Sequence, residues 1–225
     1  MKTRMLTICL FALFCIGGTL PDAAAAITDI VISAETVRDF GKMSPQNVEI
    51  VKDPDASNGL AISFTGGASA NAVPQPTAWI DAEFRADAAE YFIWIRGKSN
   101  GDTSTDSTWL QFDDQIETDK WTALAGAEAR GIGNWRDVFD AGIWVWASQE
   151  VPPPGVVSVK FKTAGLHKIR VQPRQTPHLL DQIWLSQDQD ERPADNNPVK
   201  WDLGKDPFPV EPKGKLATTW GRLKR

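Results

Sequence analysis

Cysteine is almost absent from this sequence, and its placement is informative. The chain of 225 residues has two cysteines, Cys9 and Cys15, and both lie within the first 26 residues. The rest of the chain has none. A disulfide framework, a thiolate metal site and cysteine catalysis are therefore excluded for that part.

The first 26 residues have the pattern of a signal peptide. Lys2 and Arg4 precede an apolar stretch, Leu6 to Ile16, that is short for a membrane span. Small residues follow and favour cleavage after Ala26. We expect export to the periplasm, the cell surface or the medium; an uncut membrane anchor is the alternative.

Histidine is also scarce, and basic residues do not dominate. His167 falls in a predicted strand, where packing or a surface position is expected, and His178 is expected on the surface of a turn. After cleavage, 22 basic residues face 28 acidic ones, a net charge of −6. This acidity argues against nucleic acid or an anionic membrane surface as a partner. Because no nucleophile elbow or phosphate-binding loop is found, an enzyme is not expected.

What the sequence does contain is a series of short β-type runs. Segments rich in valine, isoleucine and tryptophan alternate with turn residues from Ile27 to about Ser186. No helical stripe is evident. The pattern predicts an all-β fold, a two-sheet antiparallel β-sandwich or jelly roll. The predicted strands lie near Ile30–Glu35, Val48–Val51, Leu60–Phe64, Trp79–Phe84, Tyr91–Arg96, Thr108–Phe112, Ile143–Ala147, Val156–Phe161, Leu166–Val171 and Leu180–Ser186.

Two segments depart from this pattern. The connection between residues 113 and 142 is long and irregular, and loops of that length are usually functional or disordered. Beyond Asp188, prolines scattered among charges predict an extended linker followed by a basic tail. We therefore divide the chain into a signal peptide (1–26), a β-sandwich (27–188) and a Pro-rich linker with a tail (189–225).

Seven motifs, taken in order, resemble carbohydrate-binding modules of the galactose-binding-like β-sandwich superfamily. The resemblance covers about residues 30–187, and it implies that fold and a sugar ligand. The motifs are Ile32-Ser-Ala-Glu35, Asp55-Ala-Ser-Asn-Gly59 with the following Leu-Ala-Ile, Glu90–Arg96, Asp106–Asp113, Trp144-Val-Trp146, Gly165–Ile169 and Leu180–Ile183.

In that family a structural calcium commonly binds first-strand glutamates, backbone oxygens of the Ala-Ser turn and a final-strand aspartate. The resemblance therefore implies calcium at Glu35, Asp55 (through carbonyls of residues 55–58) and Asp181. Ser33 stands where the family has its first glutamate. Asp181 lies in an apolar run, where a charge needs a pair, hydrogen bonds or a metal. The alternatives to calcium are that it caps a turn or pairs with an arginine such as Arg174.

Tryptophan is abundant, with ten residues against one tyrosine. An indole ring can stack on the C–H face of a sugar while amide, carboxylate and arginine groups reach the hydroxyls. Trp94, Trp146 and Trp184 are expected to pack in the core. Leu180 replaces the asparagine that often binds ligand in the family. The candidate sugar-binding residues are Trp121, Trp135, Arg136, Asp106, Asn100 and Trp144.

The sequence thus predicts a secreted, non-catalytic carbohydrate-binding module whose partner is a polysaccharide or oligosaccharide. The alternative is a structural or adhesion β-sandwich that binds a protein, with the 191–225 extension as its contact. Neither nucleic acid nor, after signal cleavage, a membrane is expected as a partner.

Overall fold

The computed structural model describes residues 26–69, 73, 75–99, 105–116, 134–135, 142–148, 156–189 and 196–200. The predicted signal peptide up to residue 25, most of the 113–142 connection and the tail from residue 201 lie outside these ranges. For residues 134 and 135 only the backbone is described. Within the described residues, the structure contains no helix of the length and apolar character that crossing a membrane requires.

The described residues form twelve strands and one short α-helix, α1 (Ala34–Phe40). Short 3-10 turns at Ser57–Gly59 and Asp113–Ile116 join some of them. The strands are β1 (Asp29–Ser33), β2 (Lys42–Met43), β3 (Val48–Lys52), β4 (Leu60–Phe64), β5 (Ile80–Ala86), β6 (Glu90–Ser99), β7 (Thr108–Phe112), β8 (Asn134–Trp135), β9 (Val145–Ala147), β10 (Val157–Lys160), β11 (Gly165–Pro173) and β12 (His178–Ser186).

These strands make two antiparallel sheets, which confirms the predicted sandwich. In sheet A the order is β10-β6-β12-β4-β3, with β1 also pairing with β12 and β9 with β6. In sheet B the order is β2-β5-β11-β7-β8. Because side chains alternate along a strand, every second residue faces the partner sheet and the others face outward.

The main core lies between the sheets and contains isoleucine, valine, leucine, alanine, phenylalanine and one tyrosine, but none of the described tryptophans. Tyr91 is buried there, and its hydroxyl donates to the Ile27 carbonyl at 2.7 Å while accepting from the Asp87 N–H at 3.0 Å. The buried phenol is therefore satisfied, as its position requires.

Helix α1 corrects the prediction of a strand reaching Glu35. Ser33 caps the helix: its hydroxyl accepts from the Thr36 N–H, and the Thr36 hydroxyl accepts from the Ser33 N–H. This reciprocal cap satisfies two N–H groups and ends β1. Ala34 and Val37 then face the core one helical turn apart. The sequence predicts a strand with a period of two through Glu35, whereas Ala34 and Val37 follow the helical period.

A β-bulge in β12 sets the position of Asp181. The strand pairs with β4 as far as Leu180 and with β1 from Gln182 onward, and its register with β6 shifts between the same two residues. Asp181 is therefore the extra residue where the neighbour of β12 changes from β4 to β1. Bulges of this kind turn a side chain away from its regular direction.

Candidate functional site

The outer face of sheet A carries a cluster of tryptophans. Trp94, Trp146 and Trp184 pack with Val31 on the side of the sheet that faces away from the main core. The rings of Trp146 and Trp184 meet edge to face, with centroids 6.3 Å apart. These tryptophans are buried, as predicted, but in this outer cluster and not in the core between the sheets.

The residues that bury this cluster come from the predicted linker. Val199 packs against the tryptophans, and the Trp146 indole N–H donates to the Asn197 carbonyl at 2.8 Å. The side-chain amide of Gln182 donates to the Val199 carbonyl at 3.0 Å and accepts from the Val199 N–H at 2.9 Å. Residues 196–200, which we call the C-terminal strap, therefore lie on the sandwich through specific bonds.

Arg96 connects the strap to the bulge of β12. Its guanidinium donates to the Asp181 carboxylate, to the Asp55 carbonyl at 3.1 Å and to the Asn196 carbonyl at 2.8 Å. The ion pair is almost wholly buried, with exposed side-chain fractions of 3% and 0%. The other Asp181 oxygen accepts from the Ser57 N–H at 2.9 Å and from its hydroxyl at 2.6 Å.

Burial raises the pKa of Asp181, while the bonds from Ser57 and Arg96 act against that rise. An arginine was among the predicted partners of Asp181, but the suggested Arg174 lies elsewhere. Its guanidinium is stacked over the Trp109 ring at 5.9 Å. Arg96 is the functional residue that sequence reasoning missed. The sequence does contain a signal for it. Arg96 is a charge inside the apolar run of β6, and like Asp181 in β12 it is costly to bury without a partner.

Of the three predicted calcium ligands, the structure brings Asp181 and the Asp55 carbonyl together, and Arg96 binds both. Glu35 differs from them. It is 4% exposed, and neither carboxylate oxygen has a hydrogen-bond partner among the described residues. Such an orphaned buried carboxylate suits a cation. No group of three or more histidine, cysteine or acidic side chains that could hold a metal converges within the described ranges.

Trp144, a predicted sugar platform, is covered. Its ring lies under the Arg96 guanidinium at 4.9 Å and the Lys98 ammonium at 4.7 Å, and the side chain is 5% exposed. Its indole N–H also donates to Asp53 at 3.4 Å. Trp144 is a candidate sugar-binding residue that could face either way in the sequence; the structure buries it, with two cations over the ring that a sugar would need.

Trp135 and Asp106 are the remaining candidate sugar-binding residues that the structure describes, Trp135 by its backbone alone. Strand β8 pairs with β7 so that Trp135 is opposite Thr108. Asp106 lies two residues before β7. It is fully buried and accepts from the Ser107 hydroxyl at 2.8 Å, so it supports the loop and is not exposed to a ligand. Trp121, Arg136 and Asn100 lie outside the described residues.

The two histidines are structural. The His167 ring nitrogens contact Asp113 at 2.8 Å and the Thr163 carbonyl at 3.0 Å. His178 does not lie on a turn surface as predicted: it is the first residue of β12, 1% exposed and tilted against Phe64 at 5.0 Å between ring centroids. Burial lowers the pKa of His178 from 6.5 to about 4.

No family model matches the chain, and no curated protein matches it. Solved structures that it resembles include carbohydrate-binding modules of the β-sandwich type. A family 35 module from Clostridium thermocellum is 10% identical, covering 69% of this chain and 97% of its own, with a TM-score of 0.45. The C-terminal CBM6 of LamC from Zobellia galactanivorans is 14% identical, covering 70% and 98%, with a TM-score of 0.39.

An exo-beta-1,3-galactanase from Phanerochaete chrysosporium is 11% identical over 72% of this chain, with a TM-score of 0.44, and the chain spans 30% of that enzyme. All three TM-scores are below 0.5. The two antiparallel sheets of the chain themselves define its fold.

Proposed function

We propose that this chain binds carbohydrate without catalysing a reaction, and that Trp135 is its main stacking residue. The observation that carries the proposal is the β7–β8 pairing, which sets Trp135 opposite Thr108, two residues from Asp106. This pairing brings the backbone of Trp135 and the loop that contains Asp106 to the same edge of sheet B, which supports the proposal. A tryptophan there supplies the apolar plate that a sugar ring needs, with polar residues close by in the chain.

Retention of the full chain on a panel of immobilised polysaccharides tests this function. Trp135→Ala is expected to abolish retention on the cognate glycan while the melting temperature stays unchanged. Trp79→Ala is the matched control, because Trp79 directly precedes β5, a strand that does not neighbour β7 or β8, and it stacks under Arg170 at 4.8 Å. Incubation of the bound glycan with the protein is expected to release no product.

Trp135→Phe keeps an aromatic plate and guards against a variant that does not fold. It is expected to bind more weakly than the original chain and more strongly than the alanine variant. Full retention by a folded Trp135→Ala chain would contradict the assignment. Truncation after Lys200 keeps the strap and is expected to leave retention intact, whereas loss of a protein partner on truncation would favour the adhesion alternative.

Calcium and export belong to the same proposal. The orphaned carboxylate of Glu35 supports a cation, while Arg96 already supplies positive charge to Asp181. A carboxylate and carbonyl site would give a bound calcium the oxygen ligands that it prefers. Export is supported by the basic start and the apolar stretch of the first 26 residues. N-terminal sequencing of secreted protein is expected to begin at Ile27.

A further inference from the structure

A small polar pocket lies where the C-terminal strap crosses the sandwich. The sandwich side is lined by Ser33, Ser57, Asn58 and Gln182, and the strap closes the other side with Pro198, Val199 and Lys200. Without the strap, only the sandwich side of the pocket would remain. The bonds from Gln182 that hold the strap are therefore also the bonds that form the pocket.

We propose that the strap completes a second binding pocket, which takes one hydroxylated sugar ring. The pocket has a volume of about 160 Å³. An enclosed cavity of ~150 Å³ holds a benzene molecule, and because this pocket is open beside the exposed Asn58 and Lys200, it can take a single sugar ring whose substituents extend into solvent. Sugar as the ligand class rests on the proposed function, but the site is separate from the Trp135 edge.

The lining groups select a ring that carries hydroxyls. Ser57 donates its hydroxyl proton to Asp181, which leaves its oxygen lone pairs to accept from a ligand. Among the described residues, neither the Asn58 amide nor the Lys200 ammonium forms a hydrogen bond or ion pair with another side chain. An apolar ligand would form no hydrogen bond with these groups, whereas the hydroxyls of a sugar ring would.

The charges at the pocket disfavour a cation as its ligand. Lys200 is the charged residue among the lining side chains, and the nearby carboxylate of Asp181 is already bound by Arg96 and Ser57. Asn58 and Lys200 are exposed, so the pocket opens beside them. A sugar at the end of a chain, or on a branch, can enter there while the rest of the glycan stays in solvent.

Two substitutions remove lining groups and leave the strap in place. Asn58 has a φ of 49°, a left-handed conformation that glycine adopts readily, so Asn58→Gly deletes the amide with little backbone strain. Lys200→Gln removes the charge from an exposed side chain. Lys162→Gln is the matched control, because Lys162 is an exposed lysine that does not line the pocket.

The test is a titration of the isotope-labelled full chain with the methyl glycosides of glucose, galactose, mannose and xylose, followed by amide NMR shifts. At least one glycoside is expected to shift Ser57, Asn58 and Val199 saturably. Asn58→Gly and Lys200→Gln are expected to weaken that binding roughly threefold to tenfold, as the loss of one hydrogen bond predicts. Lys162→Gln is expected to bind as the original chain does.

The outcomes separate this pocket from the proposed function. Absence of saturable shifts with every glycoside overturns the pocket, and so do unchanged affinities in both pocket variants. If polysaccharide retention depends on Trp135 in either case, the proposed function stands without the pocket. If the glycoside binds at Asn58 while no polysaccharide is retained, the pocket stands and the Trp135 site is wrong.

Discussion

Gln182 and Val199 exchange two hydrogen bonds, at 3.0 and 2.9 Å, so that a side-chain amide pairs with a backbone as a neighbouring strand would. Sheet B has the same device: Gln172 donates to the Val73 carbonyl at 2.7 Å and accepts from its N–H at 3.1 Å. Each sheet thus uses one outward-facing glutamine to bind the backbone of a residue outside its strands.

This pairing predicts how the strap detaches. Gln182→Ala removes both bonds, each worth about 1 kcal/mol, so amide exchange at Val199 is expected to rise roughly tenfold to thirtyfold. Gln172→Ala is the matched control and should speed exchange at Val73 only. Equal exchange at Val199 in the Gln182 variant and the original chain would mean that the tryptophan contacts alone hold the strap.

The buried ion pair of Arg96 and Asp181 predicts a large loss of stability on substitution. Asp181→Asn leaves the guanidinium buried without its counter-charge, so the free energy of unfolding is expected to fall by about 3–5 kcal/mol. Urea unfolding measures it. Asp39→Asn is the control, because its pair with Arg38 has exposed fractions of 41% and 50% and is expected to change stability by less than about 1 kcal/mol.

The burial of His178 predicts that the folded chain loses stability in mild acid. Its pKa is about 4 in the folded chain because of burial, against 6.5 for the ordinary side chain. Between these values the unfolded chain takes up a proton that the folded chain does not, so stability falls as pH drops from about 6.5 to 4, by ~3 kcal/mol in total.

Urea unfolding at several pH values checks this slope. His178→Gln is expected to remove the contribution and flatten the difference between pH 7 and pH 4. His167→Gln, which leaves His178 in place, is expected to keep it. An identical pH dependence in the original chain and the His178 variant would refute the assignment.

The proposed calcium site predicts that added calcium raises the melting temperature of the full chain. A ligand at a hundred times its dissociation constant raises the free energy of unfolding by about 2.7 kcal/mol. For a domain of this size, that raises the melting temperature by roughly 5–10 °C. Glu35→Gln is expected to abolish the rise, and magnesium at equal concentration should not replace calcium. A melting temperature that calcium leaves unchanged would mean that Arg96 alone balances Asp181.

Most strands could be predicted because alternating apolar residues determine them locally. Leu60–Phe64 and Thr108–Phe112 have the predicted bounds. Helix α1 was missed because its first residues continue the apolar run of β1, and the decisive signal is the cap formed by Ser33 and Thr36. A seven-residue helix shows too few turns for its period to be recognised.

The site was harder to predict, because its contacts join distant parts of the chain. Asp181 was recognised as a charge that needs a partner, yet Arg96 is 85 residues away and is adjacent only once β6 pairs with β12. His178 was placed on a turn for the same reason: β4 and β6 on either side of it bury the residue. Neither the contact of Arg96 with Asp181 nor the burial of His178 can be inferred from the spacing of these residues along the sequence.

The strap also determines how the domain responds to mechanical force. Tension applied to the chain beyond Lys200 reaches the sandwich through residues 196–200 before it reaches β12. The bonds of Val199 with Gln182 and of Asn197 with Trp146 are loaded first. They can break while the strand at the centre of sheet A keeps both its neighbours. The strap is therefore expected to detach under tension before the sheets separate.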